Sequence, residues 1–219
     1  MSAPQPGNSA GRTVAGGRNI HWNLQRDPLY MGGVVDGTLS IDGKNTSYTK
    51  TLRAGTIMAQ VTATKKWVPC KRTQLNGAFT NNDSFVVDNA SAFRVGDVIT
   101  VGAVTGQTIE AINYDTNTIT IDGDGSLDGS DNAVVFASGA LAGAENAKAI
   151  LDEVDGLSLL DPITNSNRDM TTGKLCFNGC IKKAMLLGDI DAILAAANQL
   201  DDIVLDQTQG YSALPVATA

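Results

Sequence analysis

The sequence offers few groups with which to do chemistry. Among its 219 residues there is one histidine, His21, there are three cysteines, and aromatics make up 5%. A nucleophile–histidine mechanism would have to use His21, which sits beside a segment with no hydrophobic period, a poor place for a preorganised base. Three cysteines do not make a disulfide framework. Cys176 and Cys180 fall in "GKLCFNGCIKKAML", which reads as extended chain. Four residues along a strand span roughly 13 Å, beyond the reach of a disulfide. A Cys3His zinc site would need His21, and CxxxC is not the usual zinc spacing. Cys70, Cys176 and Cys180 therefore read as small buried hydrophobes. No Walker motif and no dinucleotide-binding glycine fingerprint occur. No run of 18 apolar residues exists, so no membrane-spanning helix is expected. Met1 is followed by Ser, Ala, Pro, Gln, Pro and Gly, without the basic and apolar regions of a signal peptide, so synthesis in a cytoplasm is expected.

Positive charge is also short. The net charge is −7, which argues against a nucleic-acid binder, since that role needs a basic face against phosphates. Lys65, Lys66, Lys71 and Arg72 lie close together and read as a solvated turn and strand edge. The acid pairs Asp152–Glu153 and Asp201–Asp202 fall in loops and at helix ends. That is not the fixed pair of carboxylates that glycoside hydrolysis needs. The expectation is a non-enzyme with no catalytic residues, no cofactor and no metal.

The chain does have 42% apolar residues, enough for a core resting on Val, Ile, Leu and Ala. Residues 1–28 form an arm rich in Gly, Ser, Pro and Asn, with Arg12, Arg18 and Arg26 against Asp27. From Leu29 to Phe79 the pattern is strand-like. In "TIMAQVTA", Ile57, Ala59, Val61 and Ala63 share one face and Thr56, Met58, Gln60 and Thr62 the other, as in a half-buried strand. Thr64, Lys65 and Lys66 turn the chain, and Trp67 and Val68 start the return. Pro69 suits an edge or a bulge. Residues 81–138 read as a separate β unit with strands in "FRVGDVITVG", "QTIEAINYD" and "NTITIDGDG". Its loop Asp122–Asp131 places Asp122, Asp124, Ser126 and Asp128 at EF-hand-like intervals. Leu127 and Ala133 stand where that loop wants Gly and Glu, so an EF-hand is rejected and an acidic hairpin tip is expected. A looser Ca²⁺ site is the alternative there. "AENAKAILDEV" reads as a short helix or a strand around Ala149–Val154. "GKLCFNGCIKKAML" reads as strands around a turn at Asn178–Gly179. "GDIDAILAAANQLDDIVL" reads as a helix capped by Asp189, with Ile190, Ile193, Leu194, Ala197 and Val204 at helical spacing.

Four stretches in order, over about half the chain, resemble the lambda-like head decoration proteins of tailed bacteriophages, a capsid-stabilising family. "LRAGTIMAQVTATKKWVP" is similar to that family's strand–turn–strand, carried by Ala54, Gly55, Thr56, Thr62, Ala63, Thr64, Lys66, Trp67 and Val68. Lys65 stands where the family favours glycine, and Trp67 where Tyr is common. "NAKAILDEVDG" is similar to the central strand, with Ala149 where glycine is usual. "LCFNGCIKKAML" is similar to a later strand with Gly179 as turn glycine, and "ILAAANQLDDIVL" to a closing helix and short strand.

The resemblance implies a mainly β fold with short α-helices (α+β). Its core would be β-clip or β-tulip-like, formed by residues 29–80 and 139–219, with residues 81–138 inserted as a small β-barrel or sandwich and residues 1–28 as a flexible arm. It implies a structural virion protein on the outer capsid surface, made in a host bacterial cytoplasm. It would be a homotrimer at three-fold and local three-fold positions of an expanded head, clamping the major capsid protein lattice against DNA pressure. It would make no direct contact with nucleic acid and none with a membrane. The arm, through Arg12, Thr13, Val14, Arg18, Ile20, His21 and Trp22, would add a strand to a capsid subunit. Gly55, Ile57, Val61, Thr64, Lys66 and Trp67 would form the core or trimer hairpin. The rival expectation is a glycan- or receptor-binding module using residues 81–138, whose aromatic candidates are Phe85, Phe93, Tyr114 and Phe136. A hydrolase is the third, least favoured.

Overall fold

The structure is a computed structural model that describes residues 20–21, 28–123, 127–196, 199–200 and 203–206. It is mainly β, with 44% strand against 6% helix, and consists of a small closed five-strand barrel and a half-barrel sheet.

The barrel is built from strands distant in sequence. These are Leu29–Val35 (β1), Ile57–Gln60 (β3), Trp67–Pro69 (β4), Ala147–Leu151 (β11) and Met170–Lys182 (β13). Between β1 and β3, Thr51–Leu52 (β2) pairs with Leu157–Ser158 (β12) as a two-stranded ribbon. Around the barrel the order is β1-β4-β3-β11-β13, and β13 returns to β1 in antiparallel pairing. The seam between β1 and β4 is parallel and narrow, a single pairing of Val35 with Trp67. Ile203–Asp206 (β14) adds in parallel to the far end of β13.

Met58 of β3 is as buried as Ile57 and Ala59, and Thr56 is buried too. The half-buried strand expected from the alternation is therefore buried on both faces. Ile57 and Ala59 join a core with Ile150, Cys176, Ile181 and Ile193, while Met58 joins another with Trp67, Val35, Leu151 and Leu175. Ala63 lies in the exposed turn rather than on the strand.

Arg72–Gln74 (β5), Ser84–Val86 (β6), Val98–Val101 (β7), Val104–Asn113 (β8), Thr118–Ile121 (β9) and Val134–Ala137 (β10) form the half-barrel, in the order β5-β10-β7-β8-β9-β6. All its pairings are antiparallel. Phe93, Ile99, Ile109, Ile119 and Ile121 fill its separate core. β5 and Leu75 belong to this sheet, although they precede the expected boundary at residue 81.

Two local expectations give way to long-range pairing. Asn178–Gly179 is not a turn, because β13 runs straight through it for 13 residues. There Asn178 pairs with Leu29 and Gly179 with Ile203, so a neighbour on each side holds extended a dipeptide that favours hairpins. The long closing helix is also absent. Helix α1 covers only Ile190–Leu194, and Val204 is in β14. Asp189 does cap α1, accepting the Ala192 N–H at 3.0 Å. The segment around Ala149 is a strand.

Candidate functional site

Of the expected arm residues, Arg12, Thr13, Val14, Arg18 and Trp22 lie outside the described residues. Ile20 and His21 are committed to the body. Ile20 is fully buried and its carbonyl accepts the Lys182 N–H at 2.8 Å, while His21 pairs with Ile181. The chain thus extends the barrel by one more pairing on β13 before it reaches β1. His21 Nε2 lies 3.0 Å from Asp152 Oδ2 and 3.1 Å from the Tyr30 hydroxyl. The Tyr30 hydroxyl donates to the same Asp152 oxygen at 2.5 Å. Lys174 Nζ sits 4.9 Å over the Tyr30 ring. Burial, then the Asp152 carboxylate, pushes the Tyr30 hydroxyl far above its ordinary range. Burial and Asp152 also push the Cys176 thiol up to about 11. These groups satisfy one another, and together they tie His21 to the barrel. Asp152 and Glu153 do not work as a pair, since Glu153 accepts from Thr172 at 2.6 Å.

The expected hairpin lies beside this seat. Gly55 holds φ +90°, and a Cβ there would run into the Met185 carbonyl, so only glycine lets this turn approach the chain after β13. Val61 is fully buried and Thr64 is exposed at the turn. Lys65 adopts φ +59°, the left-handed conformation that glycine reaches at least cost. Lys66 reaches Asp169 at 2.6 Å and Asp36 at 3.5 Å. Trp67 packs inside its own chain, against Gly33, where a Cβ would come within 2.5 Å of the indole. Nearby, β1 exposes Leu29 (52%), Met31 (40%) and Val34 (40%). Only Val35 of this strand pairs with β4. An apolar strand with one lightly used edge is a surface suited to another chain.

The solvated strand edge expected at Lys71 and Arg72 is instead part of the joint between the two sheets. Lys71 is completely buried, its ammonium donating to Asp97 Oδ2 at 2.5 Å and to the Ala92 carbonyl at 2.9 Å. Arg94 Nε donates to Asp97 Oδ1 at 3.0 Å, and its Nη1 reaches the Thr38 carbonyl at 3.2 Å. Arg72 Nε donates to the Ala192 carbonyl at 3.1 Å. Asp189 accepts from Thr73 Oγ1 at 2.8 Å and the Gln74 N–H at 3.0 Å while it caps α1. These groups bolt the barrel to the half-barrel. The burial of Lys71 had no signal in the sequence, because lysine is almost never fully buried unless paired.

On the half-barrel, Phe85 and Phe93 are core, the Tyr114 hydroxyl donates to the Phe93 carbonyl, and Phe136 lies under Arg72. A cleft of about 410 Å³ is lined by Asp83, Val104, Gln107, Ile121, Leu127 and Asp128. Asp124 and Ser126 lie outside the described residues. Among the described residues, no group of three or more His, Cys, Asp and Glu side chains is placed to hold a metal. No helix among them is long and apolar enough to cross a membrane. No family model matches this chain, and no curated protein is similar to it.

Proposed function

We propose that the protein is a structural capsid decoration protein, a homotrimer seated on the outside of an expanded phage head. The observation that carries this reading is the division of charge. Residues 72–137 hold two bases and nine acids, a net charge of −7, while the rest of the chain holds fourteen of each sign. That balance includes three bases and one acid of residues 1–28; residues 29–71 and 138–219 hold eleven bases and thirteen acids, and a nearly neutral barrel suits close packing on a protein lattice. An acidic half-barrel suits the solvent side, where like charge keeps particles apart. The apolar residues of β1 give the barrel a contact surface, and the His21–Tyr30–Asp152 contacts hold Ile20 and His21 of the N-terminal segment against it. Many weak contacts per particle then add through effective concentration. The test is light scattering of the purified protein, followed by co-sedimentation with expanded empty heads. A trimer that pellets with the heads is expected; a monomer that stays in the supernatant overturns the reading.

A second reading, saccharide binding by the half-barrel, is favoured by the volume of the Asp83–Asp128 cleft, which falls in the range of ligand sites. Its aromatic candidates are mostly consumed in packing, which leaves few rings for a sugar to stack on. Glycan-array binding that Gln107→Ala abolishes would favour it.

A further inference from the structure

Lys71 and Asp97 have no exposed side-chain surface, and their charged atoms are 2.5 Å apart. They lie 26 residues apart in sequence, Lys71 at the crossover between the two sheets and Asp97 just before β7. We propose that this pair condenses into an intramolecular isopeptide bond, a covalent staple at the joint of the two sheets.

The backbone holds both partners. The Lys71 N–H donates to the Ala144 carbonyl at 2.8 Å and the Lys71 carbonyl accepts from Ala137 at 3.0 Å. The Asp97 carbonyl accepts from Ile109 at 2.9 Å, and its N–H donates to Arg94 at 3.2 Å. Reacting groups held face to face in this way behave as if at an effective concentration on the order of 10⁵–10⁸ M. The surroundings assign a task to each atom. Lys71 Nζ and the Arg94 backbone N–H both donate to Oδ2, the oxygen that leaves. Arg94 Nε holds Oδ1, the oxygen that stays and carries charge in the tetrahedral intermediate. The Ala92 carbonyl keeps one N–H of Nζ, the proton the amide retains.

In the step, a proton passes from Lys71 Nζ to Asp97 Oδ2 across their contact, and the lone pair of the amine so freed attacks Cγ. The Cγ–Oδ2 bond breaks, and Oδ2 departs as water with the carboxyl proton and one amine proton. Nothing is oxidised or reduced. Burial favours each part of this. It lowers the Lys71 pKa toward the free amine. It makes two desolvated charges costly, where a neutral amide is not. It also keeps water from reversing the reaction.

The experiment is mass spectrometry of the full-length protein. The denatured chain should weigh one water less than its sequence, and a tryptic digest should contain one species joining the peptides of Lys71 and Asp97. Succinimide at an Asp–Gly step would give the same deficit, so Lys71→Arg, which keeps every such step, should restore the full mass. Absence of the joined peptide from the wild type, or a deficit that persists in Lys71→Arg, overturns the proposal and leaves an ordinary buried ion pair.

Discussion

The barrel and the half-barrel are built from different kinds of contact. In the barrel, β1 pairs with β13 and β3 with β11, so its two cores close only when both ends of the chain arrive. In the half-barrel, β7, β8 and β9 are consecutive hairpin partners, and much of its core is local. Local contacts involve short loop closures, which makes the half-barrel the part able to form first. The charge follows the same division, with a net charge of −2 over residues 29–71 and 138–219 against −7 over residues 72–137. A nearly neutral, long-range barrel and an acidic, local sheet are what one expects if the first serves assembly and the second faces solvent.

The joint between them offers the strongest way to break this comparison. Lys71→Met removes the Lys71–Asp97 link in either form, ion pair or amide, and leaves Asp97 buried without its partner, at a cost of about 3–5 kcal/mol. Urea unfolding should then show two transitions in place of one, because the half-barrel has its own core. A single transition at the wild-type midpoint would mean that the pair does not couple the sheets. Asp189→Ala is smaller. It removes the α1 cap and the acceptor for Thr73 and Gln74 of β5, worth about 2 kcal/mol together. The m-value should stay unchanged; a fall in m would mean that α1 contributes to more than this local clamp.

Alkali should separate the two regions more gently. Burial raises the Cys70 thiol to about 12 and the Cys176 thiol to about 11, above the ordinary 9.0 of the unfolded chain. Folded values above unfolded ones mean stability that is complete below pH 9 and lost as pH rises through the folded values. In the half-barrel, Tyr114 rises only from 10.0 to about 12. The barrel therefore begins to lose stability at lower pH. Urea midpoints should fall between pH 9 and 11, and less steeply in Cys176→Ala. Equal slopes in variant and wild type would remove the thiol from the account.

How far the sequence reveals each region follows from the same contrast. The strands in "FRVGDVITVG", "QTIEAINYD" and "NTITIDGDG" were legible because alternation and turns agree within one hairpin. Asn178–Gly179 misled because its turn preference is local, while β1 and β14 decide its conformation from far away. Alanine-rich 195–197 suggested a longer helix, yet α1 stops at Leu194 and β14 follows soon after. The buried faces of the hairpin were half legible: Ile57 and Val61 face cores as expected, but nothing local marks Met58 as facing a second one. Of the candidate site, His21 was visible as an isolated residue. Its partners Tyr30 and Asp152 were not, because the folded barrel alone brings them together.

The smallest effect is expected at Lys66, and it sharpens the division between fold and contact. Its ammonium bridges Asp169 and Asp36 at the protein surface, and Asp169, held by Lys66, has its pKa lowered. A lowered carboxylate contributes stability above its ordinary pKa and loses it only as pH falls through the folded value, in the acid range. Solvent screens such a pair at neutral pH. Lys66→Ala should therefore leave the urea midpoint at pH 7 where the wild type has it. Asp36 keeps its N–H donors from Thr38 and Leu39, so its turn survives. Co-sedimentation with heads then becomes the informative measurement. If Lys66→Ala folds normally but pellets less, the hairpin tip touches the capsid lattice; if it pellets normally, the contact lies elsewhere on the barrel, and the exposed residues of β1 are the next to replace.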